Sequence, residues 1–293
     1  MSLRTFPLAV CLIGSLTGAA QYGTFDAGSV RSVRGTTTLV VLDDGDSPYN
    51  RVILDAMKAH WKGSSGFETV TASELATQPL SPEKSYLMKT IKPDPEKHSG
   101  TFLSLVQGWK QKKNEGLIME NNAATNVPAE QDLAFILFDP EHLAEAGLTG
   151  MVHVYVKHLQ DYLTQVERGQ ITDKTTADRL YQGRNRHLRD DMQLWLAKEQ
   201  IDASMGLDGA KELYTHTLQI MDLGQLNAGA LKGESTVGLA DVVLTGDHKT
   251  KWCFRRVFNA GTGELMYLAD EAALYGKKEG FISDDLKAIE RAR

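Results

Sequence analysis

Cysteine is nearly absent from this chain: among 293 residues there are two, Cys11 and Cys253. Cys11 lies in an N-terminal apolar run that export would remove, so no internal disulfide can form in the remaining chain and no Cys pair is available for redox or zinc chemistry. Cys253, between Trp252 and Phe254, reads as a small core residue of a strand. Long apolar runs are missing as well. Nothing beyond the N-terminus approaches the ~20 residues of a spanning helix, so no integral membrane segment is expected in the mature chain. Nor is there a basic excess: Lys and Arg number 32 against 38 Asp and Glu, a formal net charge of −6. Scattered basic residues exclude the positive face that a nucleic-acid backbone requires, so no nucleic acid is expected as a partner. No phosphate-cradling glycine loop and no nucleophile-elbow serine motif occurs, and no cofactor is implied.

What is present begins with "MSLRTFPLAVCLIGSLTGAAQ", one Arg followed by an apolar segment and then Gly18, Ala19 and Ala20. That layout is a secretory signal peptide over residues 1–20, with cleavage near Ala20 and a periplasmic or extracellular destination. Residues 21–35, rich in Gly and Ser, read as a flexible tether.

The body of the chain reads as α/β. "TTTLVVLDD" is a buried strand, and "SPYNRVILDAMKAHWK" places Val52, Ile53, Met57 and His60 or Trp61 at helical spacing behind a cap at Asp46 or Ser47, with Pro48 in the first turn. "GFETVTASELA" is a second strand running into a turn. "SYLMKTIKP" and "TFLSLVQGW" make a hairpin, and "DLAFILFD" is a further strand. In "GMVHVYVKHLQDYLTQVERG" apolar residues recur three or four apart, predicting a long helix, and "TTADRLYQGRNRHLRDD" a second, more polar one. "MQLWLAKEQ", "IDASMGLDGAKELY" and "THTLQIMDLGQL" then repeat strand, helix, and strand into turn. A hairpin-rich tail closes the chain through the "NAGTG" turn. The expectation is two similar mixed-sheet halves, residues 36–140 and 191–293, each strand–helix–strand–hairpin, joined by a helical connector over 141–190. Order of elements, not residue identity, carries this internal duplication.

The candidate site residues are acids. Asp43, Asp44 and Asp46 follow the first strand at the mouth of a helix, and Asp139 ends "DLAFILFD". Carboxylates at a helix N-terminus are also ordinary caps that meet its free N–H groups. The histidines offer less: His153 and His158 are five apart, off the i, i+4 geometry of a helical metal site, and His187 with Asp190 and Asp191 reads as a solvated helix end.

Three resemblances rest on these stretches. "LVVLDDGDS" resembles the first motif of haloacid dehalogenase-type phosphotransferases, which implies Asp44 as nucleophile and Asp46 as acid and base. Pro48 stands where that family has Thr or Val, and no downstream Lys with an acidic pair completes the set. The same stretch with "FETVTAS" resembles the start of a response-regulator receiver domain, which implies magnesium at Asp43 and Asp44 with Asp139 as phosphoacceptor; two extra strands intervene here. Finally, "VVLDDGDSPYNRVILDAMKAHW" and "KWCFRRVFNAGTGELMYLAD" resemble uncharacterised secreted bacterial α/β proteins, implying architecture and location but no activity. With no complete catalytic set, the expected function is a binding or interaction module for an unidentified ligand or protein. The alternative is magnesium-dependent, aspartate-based phosphoryl transfer at the acidic loop.

Overall fold

The computed structural model describes residues 22–93, 99–112, 115–140, 149–247 and 249–292, and the expected signal peptide lies outside them. The first half runs α1 (Ala27–Arg34), β1 (Thr37–Leu42), α2 (Pro48–His60), β2 (Gly66–Thr71), α3 (Ala72–Ala76), β3 (Lys84–Lys92) and β4 (Gly100–Gln107). It continues with a short pair, β5 (Met119–Glu120) and β6 (Ala123–Ala124), then β7 (Asp132–Leu137). Two long helices follow, α4 (Gly150–Glu167) and α5 (Lys174–Asp191). The second half comprises β8 (Gln193–Ala197), α6 (Gly206–Leu213), β9 (Leu218–Met221), α7 (Leu223–Lys232), β10 (Val237–Gly246), β11 (Thr250–Asn259), β12 (Leu265–Leu274) and α8 (Ser283–Glu290).

The fold is α/β with two mixed sheets. In the first, the strand order is β2-β1-β3-β4-β7, with β6 pairing β3 and β5 pairing β6. β1 is parallel to both β2 and β3, whereas β4 is antiparallel to β3 and to β7. The second sheet has the order β12-β11-β10-β8-β9, with β8 parallel to β9 and β10, and β11 antiparallel to β10 and β12. Strand for strand, β8, β9, β10, β11 and β12 take the places and directions of β1, β2, β3, β4 and β7. The agreement is one of connectivity.

Strand alternation sends side chains to two different cores. Val40 of β1 and Leu87 of β3 face a central core, while Val41, Tyr86 and Met88 face a second cluster under α3. In the second sheet, Leu239 faces the central core and Ala240 and Val242 face a cluster beneath α6 and α8. Phe102, Phe135 and Leu137 of the first sheet pack directly on Val243 and Phe254 of the second. Cys253 is a buried residue of β11.

The central core has α4 as its axis. Twelve of the eighteen residues of α4 are buried, among them Val154, Val156, Leu159 and Leu163. These pack in one cluster with Val40, Ile53 and Leu105 from the first half and Val237, Phe258 and Leu265 from the second. Each fully buried aliphatic side chain of this kind contributes about 1.5–3 kcal/mol. The expected connector is therefore a core element shared by both halves, because its apolar residues occupy more than one face of the helix. Polar anchors fix it to the second sheet: Tyr155 donates to Asp241 Oδ1 at 3.0 Å, and the buried Arg256 guanidinium donates to Asp241 Oδ2 through Nε at 2.9 Å. Arg256 also lies over the rings of Tyr155 and Phe258.

One further expectation is corrected. Within the stretch read as a tether, Ala27–Arg34 forms α1, capped by Asp26, and Val30 and Val33 are buried in the central core together with Tyr22. Two valines three apart suffice because α4 supplies the surface they cover. Among the described residues no helix is long and apolar enough to cross a membrane.

Candidate functional site

β1 and β3 end side by side at the point where the strand order turns back, the edge at which open α/β sheets commonly seat ligands. The acidic loop lies there, but each acid has a partner of its own. Asp43 is buried, accepts the Ser47 hydroxyl at 3.0 Å and forms an ion pair with Lys89 of β3, also buried. The Lys89 ammonium stands 4.7 Å from the centroid of the Tyr49 ring. Asn50 closes the turn, accepting the Asp43 N–H at 2.7 Å and donating to the Asp43 and Gly45 carbonyls. Asp44 accepts the Ser73 backbone N–H at 3.1 Å and the Ser73 hydroxyl, and these bonds hold its carboxyl below the usual range. Its own N–H donates to Asn122 in the β5–β6 turn. Asp46 pairs with Arg51 in solvent. The loop thus ties β1, α2, α3 and β6 together.

Asp139 is at the same edge, since β7 runs parallel to β1, but β3 and β4 intervene. Three strand spacings put the strand ends about 14 Å apart. Among the described residues no group of three His, Cys, Asp or Glu is placed to hold a metal ion. Asp139 instead borders the seam between the halves. A small cavity of about 30 Å³ there is walled by Asp139, Met151, Tyr155, Asn227 and Asp241. The receiver-type triad is not assembled by this topology.

A polar concavity that both halves wall lies elsewhere, beside α4. A cleft of about 420 Å³ is formed by the C-terminal end of α2, one face of α4 and the turn between β11 and β12. α4 contributes Lys157, Gln160, Asp161, Thr164 and Gln165, positions at offsets of three, four, seven and eight that form one stripe on a helix, and Arg168, its C-cap, extends the stripe. The stripe is a polar face on a helix most of whose residues are buried. That spacing was present in the sequence and is the signal by which the site could have been found; the apolar periodicity of the same helix obscured it.

The cleft is held by local bonds. Gln160 accepts the Lys62 N–H at 2.6 Å and donates to the His60 carbonyl at 3.0 Å, fixing the end of α2 against α4. Arg184 of α5 binds both oxygens of Asp161, at 2.8 and 3.1 Å, and reaches Glu264 at 3.3 Å. Glu264 also accepts the Thr262 hydroxyl at 2.9 Å. Lys157 is 9% exposed, and its ammonium donates to the Ala260 carbonyl at 2.6 Å. Burial lowers its pKa.

Beside it, His60 Nε2 and His153 Nδ1 are 3.1 Å apart. Burial, then the charge of Lys157, the neighbouring His153 and Lys62, push the His60 imidazole down to about 4. Burial and Lys157 also lower His153, against the pull of Asp55. His153 therefore meets a histidine from another helix, whereas His158 points into the core against Phe258. His187 pairs with Asp191 in an exposed position.

Comparison with protein-family models, with curated proteins and with solved structures gives no significant match.

Proposed function

We propose that the chain is an exported binding or interaction module, built from two α/β units of one duplicated plan, with its ligand seat in the cleft beside α4. Export is supported by the signal-peptide layout of residues 1–20. Duplication is supported by the common strand order and direction of the two sheets. The observation that carries the binding reading is the polar stripe of α4: a helix buried along most of its length turns five polar residues toward an open cleft that both units wall. Its volume falls in the range of small-molecule sites.

Aspartate-based phosphoryl transfer at Asp44 and Asp46 remains the competing reading. It is supported by motif spacing alone, for Asp43 is spent on Lys89, Asp44 on Ser73 and Asp46 on Arg51. Two measurements test the proposal. Ligands found by thermal-shift screening of the mature chain should perturb the NMR signals of His60 and the α4 stripe. Magnesium-dependent hydrolysis of p-nitrophenyl phosphate that disappears in Asp44→Asn would overturn the binding-module reading.

A further inference from the structure

We propose that the cleft binds a small molecule through an oxyanion, a phosphate or carboxylate group, held by the ammonium of Lys157. The inference rests on the reading of the cleft as the ligand seat and names the chemistry that seat would take.

Among the described residues the ammonium of Lys157 meets no carboxylate. An ammonium removed from water is costly unless it is paired, and buried lysines are ordinarily paired or neutralised. Lys157 is buried, yet its bond goes to the neutral carbonyl of Ala260. The two nearby carboxylates, Asp161 and Glu264, are held by Arg184 instead. An ammonium has three donors; among the described residues one is bonded, to the Ala260 carbonyl.

The surroundings add to the same sign. Lys62 and Arg168 stand exposed at the rim of the cleft. With Lys157 they make three cations in the lining against Asp161 and Glu264, both of which Arg184 pairs from behind, and His60 is neutral near pH 7. The local balance is positive in a chain whose formal net charge is −6. A cleft of about 420 Å³ also exceeds the needs of a bare ion, so the oxyanion is one end of a larger molecule, the rest lying along Gln160 and Thr164.

The test is isothermal titration and His60 NMR on the mature chain, with inorganic phosphate and acetate as probes and sodium chloride at matched ionic strength as control. The expected result is saturable binding of one or both probes with a shift of the His60 signals, and at least tenfold weaker binding in Lys157→Met. The tighter probe distinguishes a phosphate-bearing from a carboxylate-bearing ligand. Should Lys157→Met fail to fold, the exposed pair Lys62→Gln and Arg168→Gln serves in its place, and binding must weaken at least threefold. Affinity unchanged in these variants, or no binding beyond the chloride control, would overturn the proposal. Binding of a neutral sugar at His60 with no response to either anion would overturn the anion chemistry and leave the cleft as the ligand seat. Anion-induced shifts confined to the acidic loop would overturn both.

Discussion

Acid should destabilise this fold in part through one deeply buried imidazole, that of His158. His158 is 4% exposed, packs edge-on against Phe258, and its Nδ1 has no hydrogen-bond partner. Burial pushes it down to about 4; Asp161 opposes that, while Arg256 and Arg184 reinforce it. In the unfolded chain its pKa returns to about 6.5. Between those values the unfolded state binds a proton that the folded state refuses, so stability is full above pH 6.5 and falls as the pH drops toward 4. The linkage gives a loss of about 2 kcal/mol from pH 7 to pH 5, and about 3 kcal/mol by pH 4. Carboxylates, His60 and His153 also respond to acid in this window, so the informative quantity is a difference. Urea unfolding of the wild type and of His158→Gln would be followed by circular dichroism at half-unit steps from pH 7.5 to 4. The variant starts less stable, having lost a fitted ring, but its profile should be flatter by those amounts. Parallel profiles would refute the reasoning, for they would mean that His158 is protonated in the folded protein.

Three other outcomes are expected. Lys89→Met leaves Asp43 buried without its counter-charge and should cost about 3–5 kcal/mol in chemical denaturation, whereas the double variant Lys89→Met with Asp43→Asn should recover much of that loss. Gly150→Ala puts a Cβ 2.0 Å from the Asn227 carbonyl oxygen, a backbone atom; separating α4 from α7 should cost at least about 1–3 kcal/mol by the same assay. Thr71→Ala removes one half of the capping box with Glu74 that starts α3 and should lower stability by about 1 kcal/mol, with no effect on anion binding at the cleft.

The parts of the fold that could be read from sequence are those whose signal is local. Apolar and β-branched runs gave β1, β3, β4 and β10, and Asp46 or Ser47 with Pro48 marked the start of α2, which Ser47 caps. Elements whose identity depends on a distant surface were not legible. The stretch "DLGQL", ending at Leu226, reads as a turn after a strand, and Gly224 and Gly229 are poor helix formers. Leu223–Lys232 is α7 because the Trp195 ring lies where a Cβ of Gly229 would be, 2.3 Å away. α1 is short, with only Val30 and Val33 as an apolar face, and the β5–β6 pair has two residues a side. Of the acids singled out, spacing revealed their presence at a strand end but not their partners. Lys89 lies 46 positions after Asp43 in the numbering and becomes its neighbour only through the parallel pairing of β1 and β3.

The placement of the cleft follows from the same logic. α4 packs against both units at once, beside α1 and α2 of the first and α7 of the second. A helix in that position has little surface left to show water, and what it does show lies along the line where the two units part. Polar residues kept on that line cannot be explained by solubility, which any exposed face of α5 or α6 serves equally well. A buried lysine there, bonded to a neutral carbonyl, is a cost to folding that a bound anion would offset. Stability should therefore rise with anion concentration in the wild type, and in Lys157→Met that dependence should be lost even if the variant is the more stable protein without ligand.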